Sequence, residues 1–213
     1  MADLKDLTIA QFVDATASDA PAPGGGGVAA LAGCLGMALA EMVANLTIGK
    51  AKYADVEVEM RSLVAEAEVI REELLSAVQK DHESFTAYME ALKLPKDTEE
   101  EKAVRREAMQ NGLKEATAVP LYVAETSAKI FPIAKTIVEK GNKNAVSDGL
   151  MAAMLARTAV LSALLNVKIN LGSIKDEAFV AQMTAKVEAL ENQARTCEQE
   201  ILARNELSVS FTK

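Results

Sequence analysis

Four short segments carry the residue types that could do chemistry. The first is Pro21-Ala22-Pro23-Gly24-Gly25-Gly26-Gly27, which opens directly into an apolar stretch. Glycines let a backbone come close to a ligand, and free N–H groups at a helix start attract anions. The same run is equally a tight turn feeding a crowded helix. No Gly-Lys-Ser/Thr follows it, so it is not a Walker A loop. No strand precedes it, so it is not a dinucleotide fingerprint. The second segment, Asn45-Leu46-Thr47-Ile48-Gly49-Lys50, closes the apolar stretch. An amide in such a helix needs hydrogen-bond partners, and Glu41 lies one turn earlier on the same face. Lys50 either meets an anion or simply complements the helix dipole.

The third segment is Lys80-Asp81-His82-Glu83-Ser84-Phe85. Asp81, Phe85 and Tyr88 fall on neighbouring turns, so Asp81 borders an apolar stripe where burial would raise its pKa. His82, the sole histidine, lies about 100° round the helix and reads as a surface residue. The fourth segment, Gly141-Asn142-Lys143-Asn144-Ala145-Val146-Ser147-Asp148, packs amides, a lysine, a hydroxyl and a carboxylate into a helix-to-helix turn. Ser147 or Asp148 would serve there as an N-cap if nothing more. Farther on, Asn166 and Asn170 sit four residues apart among Leu, Val and Ile, which suggests either a polar pocket or a structural network. None of these segments contains a metal cluster, a Ser-His-Asp arrangement or a usable Cys-His pair.

The elements that must position these residues are helices. Apolar residues recur with helical period through most of the chain. A short helix is expected over Thr8–Ala17 with Ile9, Phe12 and Val13 on one face, then a buried one over Val28–Gly49. A long helix should run over Val56–Leu92, broken by Leu94-Pro95-Lys96-Asp97. Thr98 with Glu101 forms a capping box for the next helix, which should reach Val119 and end or kink at Pro120. Periodicity resumes over Leu121–Val138, then over Ser147–Asn170, and last from the Ser173–Asp176 loop to about Leu207. The tail Ser208–Lys213 is expected to fray. The whole predicts one all-α domain over residues 1–213, a bundle of long antiparallel helices. Long striped helices predict a homodimer.

Composition narrows the function. A net charge of −8 excludes the basic footprint of nonspecific nucleic-acid binding. Val28–Ile48 is nearly long enough to span a bilayer, but Glu41, Asn45 and many small residues point to a bundle core instead. Cys34 and Cys197 read as reduced, partly buried thiols. The polar start Met1-Ala2-Asp3-Leu4-Lys5 predicts no signal peptide and a cytoplasmic location.

Taken in order, the segments resemble the cyclodeaminase/cyclohydrolase family. Pro23-Gly24-Gly25-Gly26-Gly27-Val28-Ala29-Ala30-Leu31-Ala32-Gly33 and Val43-Ala44-Asn45-Leu46-Thr47-Ile48-Gly49-Lys50 look like its opening. Asp81 with Phe85, Gly141-Asn142, Ser147-Asp148 and Asn166-Val167-Lys168-Ile169-Asn170-Leu171 look like its later stations. The resemblance covers nearly the whole chain. It implies long helices, a homodimer and a folate site near the subunit interface. Two reactions come with it: opening of the methenyl bridge of 5,10-methenyltetrahydrofolate by water, and release of ammonia from 5-formiminotetrahydrofolate with ring closure. The missing formiminotransferase domain favours the first. A noncatalytic helical oligomerisation protein is the alternative from another class, and it leaves the glycine run and the interior amides without a purpose.

The chemistry asked of the residues follows. The methenyl carbon is cationic and already electrophilic, so neither metal nor cofactor is needed beyond the folate substrate. A carboxylate, Asp81 or Asp148, would attract the cation and act as general base. Asn45, Asn142 or Asn144 would orient water and adduct. Lys50 and the Gly24, Gly25, Gly26 and Gly27 amides would bind the anionic tail or polar edge of folate, and Pro23, Asn142, Asn144, Ser147 and Asn170 would also contact substrate.

Overall fold

The computed structural model describes residues 3–207, so the tail Ser208–Lys213 lies outside the described residues. Among the described residues the chain folds into α1 (Ile9–Ala17), α2 (Gly25–Asn45), α3 (Glu57–Leu92), α4 (Glu99–Ala128), α5 (Ile130–Lys140), α6 (Val146–Leu171) and α7 (Glu177–Leu202), with no strand. Short 3₁₀ turns at Leu4–Asp6, Ala51–Val56 and Lys143–Ala145 join them. The caps act locally. Thr8 and Gln11 close one capping box, Thr98 and Glu101 another, and Asp176 accepts the Phe179 N–H ahead of α7.

α2 and α6 form the centre, side by side and antiparallel. Gly25, at the start of α2, faces Asn166 near the end of α6, while Gly36 lies against Ala152 and Leu155 in its first half. A Cβ on Gly36 would stand 3.0 Å from Leu155 Cβ, so the small residue sets how closely the helices approach. Ala152, Ala153, Ala156, Ala159 and Ala163 on α6 are fully enclosed for the same reason. α3 and α4 flank this pair, α5 and α7 close the bundle, and one core runs from Phe12 to Leu202. Both α2 and the stretch Lys143–Leu171 are long and apolar enough to cross a membrane, and about half of each is buried inside the bundle.

Two expectations are corrected. α2 begins at Gly25, not Val28, so three glycines of the run form its first turn. Pro120 neither ends nor breaks α4, which continues to Ala128 and yields at Lys129 instead. A proline removes the N–H that would bond the carbonyl four residues back. That carbonyl belongs to Ala116, and the Asn170 side chain donates to it at 2.8 Å. The helix survives because α6 supplies the missing donor. Ile9, Phe12 and Val13 do share one face of α1, bordering a single apolar groove, with Phe12 buried and Ile9 and Val13 exposed. The thiols of Cys34 and Cys197 are free, the first buried and the second half-buried.

Candidate active site

A cavity of about 400 Å³ opens where the start of α2, the middle of α3 and the end of α6 converge. Pockets that bind small molecules start at about 300 Å³. Its walls come from Pro21, Ala22, Gly24, Gly25 and Gly26 at the head of α2, and from Asp81, His82, Ser84, Phe85 and Tyr88 on α3. Leu113 and Ala116 of α4, Asn166, Ile169 and Asn170 of α6, and Ser173 after α6 complete it.

Asp81 sits at the junction. α2 has no side-chain cap of its own, and the Asp81 carboxylate, arriving from α3, accepts the Gly27 N–H. A carboxylate at a helix start meets unpaired N–H groups and the positive end of the dipole. Gly26 makes the approach possible, since a Cβ there would lie 2.0 Å from Asp81 Oδ1. Burial pushes the Asp81 carboxyl above the ordinary carboxylate range, against the opposing pull of the Gly27 N–H and of His82. The result is a carboxyl group in a cavity wall whose protonated form is favoured by burial.

Around it stand neutral groups. Asn166 donates to the Ser162 carbonyl at 3.0 Å, and its side-chain amide packs against Gly25. Phe85 and Tyr88 supply aromatic faces one and two turns beyond Asp81. His82 is not a free surface residue: it lines the cavity, and its Nδ1 is shut off from solvent without a hydrogen-bond partner.

The structure divides the sequence-derived candidates into two groups. Asp81, Gly24, Gly25, Gly26 and Asn170 meet at the cavity. Pro23 and Gly27 lie beneath it, with the Pro23 ring under Gly27. Asn45, Lys50, Asn142, Asn144, Ser147 and Asp148 gather at the opposite end, where α2 runs out and α6 begins. The 21 residues from Gly25 to Asn45 span about 30 Å at the helical rise, so a single chain cannot bring the groups together. Within the second group, Asn142 is buried with its polar atoms occupied. Its N–H donates to Thr47 Oγ1 at 2.9 Å, its amide to the Leu46 carbonyl at 3.0 Å, and its oxygen accepts the Asn144 N–H at 3.2 Å. It ties the end of α2 to the start of α6. Asn45 is exposed, and Glu41, its expected partner, pairs instead with Arg71 at 2.9 Å.

Sequence reasoning missed Pro21, Ala22, Ser84, Leu113, Ala116, Ile169 and Ser173 as lining residues. For Ser84 the signal was present, because Asp81, Ser84, Phe85 and Tyr88 follow i, i+3, i+4, i+7 on one helical face. Leu113 and Ala116 gave none, since only packing decides which apolar residues of α4 meet the cavity.

Residues 8–189 match the model of the formiminotransferase-cyclodeaminase family. The chain belongs to this family. It is 43% identical to a methenyltetrahydrofolate cyclohydrolase of Methylorubrum extorquens, over 86% of this chain and 88% of that protein. It is 40% identical to the formimidoyltransferase-cyclodeaminase of Sus scrofa, but there it spans only 34% of the relative. Its fold superposes with a TM-score of 0.85 on the crystal structure of formiminotetrahydrofolate cyclodeaminase from Thermotoga maritima, at 37% identity, covering 94% of this chain and 96% of that one. Family members of nearly the same extent thus carry either activity name, so chain extent does not separate the two reactions.

Proposed function

We propose that this family member is a methenyltetrahydrofolate cyclohydrolase, with Asp81 as the general base. The observation that carries the reading is a carboxyl group with a raised pKa at a helix start, lining a cavity beside two aromatic rings. Similarity to the Methylorubrum cyclohydrolase along most of both chains supports it. Asp81 would take a proton from a water attacking the cationic methenyl carbon. The protonated carboxyl would then return that proton to N5 as the C–N5 bond breaks, while the adduct's hydroxyl proton leaves to solvent. Water and the cation thereby give 10-formyltetrahydrofolate and one proton. A carboxyl tuned upward suits both transfers. The Asn166 side-chain amide and the α2 amides would orient the adduct, and Phe85 and Tyr88 would stack on the ring system. One-carbon chemistry of this kind fits the cytoplasmic location expected from the sequence.

Asn45, Lys50, Asn144, Ser147 and Asp148 enter through a second copy of the chain, with Asn142 holding that end of the bundle together. α2 exposes Val28, Leu35 and Met42, with Leu46 just past its end, and α6 exposes Met151, Leu165 and Ile169. A twofold axis crossing α2 would cover these stripes and bring the Lys50–Asp148 end of one subunit to the glycine end of the other. The test is subunit mixing. Asp81→Asn and Asp148→Asn should each lower turnover by about 100-fold or more, and mixing the two inactive proteins should restore part of the activity. Full activity of Asp148→Asn would remove the second cluster from the site.

The cyclodeaminase reading is separated by substrate. Purified protein should bleach the methenyl chromophore. Release of ammonia from 5-formiminotetrahydrofolate without loss of methenyl absorbance would replace the hydrolase assignment.

A further inference from the structure

The cavity offers no lysine or arginine among its lining residues, yet the proposed substrate ends in a glutamyl group with two carboxylates. A second groove of about 400 Å³ is lined by Ala103, Arg106, Glu107 and Gln110 of α4 and by Lys175 in the turn between α6 and α7. One side chain stitches the two together. Gln110 donates to the carbonyl of Ser173, which lines the cavity, at 3.1 Å, and accepts the Lys175 N–H at 2.8 Å.

The helix makes the connection continuous. Arg106, Gln110 and Leu113 follow i, i+4, i+7 on one face of α4. Arg106 therefore stands about 10 Å along the axis from the cavity wall at Leu113, a distance suited to an aromatic amide spacer. Among the described residues, neither Arg106 nor Lys175 forms an ion pair, and both are exposed. The neighbouring Lys114 is already held by Asp176 at 2.7 Å. Glu107 is the opposing charge in the groove, and it pairs with neither cation.

We propose that the groove is an anionic-tail subsite. The substrate's pterin occupies the cavity at Asp81, its aromatic amide crosses Ser173, and Arg106 and Lys175 hold the glutamyl carboxylates. The proposal rests on the folate reading above and replaces Lys50 as the tail contact.

Calorimetry on the full chain tests it with two ligands, tetrahydrofolate and tetrahydropteroate, which lacks the glutamyl group. Exposed cation–carboxylate contacts contribute about threefold each, so wild-type protein should prefer tetrahydrofolate by about tenfold at low salt. Raising the ionic strength should compress that preference. Arg106→Gln with Lys175→Gln should abolish it and leave tetrahydropteroate affinity unchanged, while Lys50→Gln should preserve it. A wild-type protein that binds both ligands equally overturns the subsite and leaves the cavity reading standing. Loss of the preference in Lys50→Gln, with retention in the double variant, also overturns it. A protein that binds neither ligand overturns the folate reading and the subsite with it.

Discussion

Gly26→Ala is the most direct perturbation of the proposed machinery. The new Cβ would stand 2.0 Å from Oδ1, 2.5 Å from Cγ and 2.6 Å from Oδ2 of Asp81. Ordinary carbon–oxygen contact begins more than 1 Å farther out, so the carboxylate must rotate away. In moving it loses the Gly27 N–H, worth about 1 kcal/mol, and the crowding adds about 1–3 kcal/mol. Better helix propensity of alanine returns up to about 1 kcal/mol. The net cost is about 1–4 kcal/mol, a melting shift of roughly 2–16 °C for a chain of this size. Turnover should suffer more than stability, by about 100-fold or greater, because the displaced group is the proposed base. Gly24→Ala is the control: its Cβ meets nothing nearer than the Pro21 carbonyl at 3.7 Å. Methenyl decay and thermal melts on both variants measure the two effects separately. If Gly26→Ala keeps turnover within threefold of wild type while folded, the placement of Asp81 against α2 is not what catalysis requires.

Four further outcomes follow from the same geometry. Because burial raises the folded pKa of Asp81, its protonated form is favoured in the native state. That contribution is complete below the unfolded value of about 3.9 and is lost as pH rises through the folded pKa. Asp81→Asn should therefore melt higher than wild type at pH 7, and the gain should vanish in acid. In activity, kcat/KM should rise with pH along a limb placed above about 3.9, and that limb should be absent from the residual rate of Asp81→Asn. Asn170→Leu should cost about 1–3 kcal/mol in denaturant unfolding by orphaning the Ala116 carbonyl. Adding Pro120→Ala should recover part of this loss by restoring the intrahelical donor, and strict additivity of the two changes would refute the link. Asn142→Ala should lower stability by about 2–3 kcal/mol with little change in turnover per folded molecule, and a selective loss of turnover would show that its bonds to α2 are not its main role.

Much was legible in the sequence because helix formation is local. The 3.6-residue period placed α3 and α6 to within a residue or so, and Thr98 with Glu101 marked the start of α4 through bonds that close within one turn. The residues themselves showed that the glycine run and Asp81 were unusual. What they could not show is which unusual residues meet. That depends on helix direction: an antiparallel α2 and α6 put Gly25 beside Asn166 and leave Lys50 and Asp148 about 30 Å away. Pro120 misled for a related reason. Its local rule holds, and the compensating donor comes from Asn170, 50 residues later, which only tertiary packing brings within reach. Period and capping belong to the chain read in order, whereas the cavity is a property of contacts between residues far apart in it.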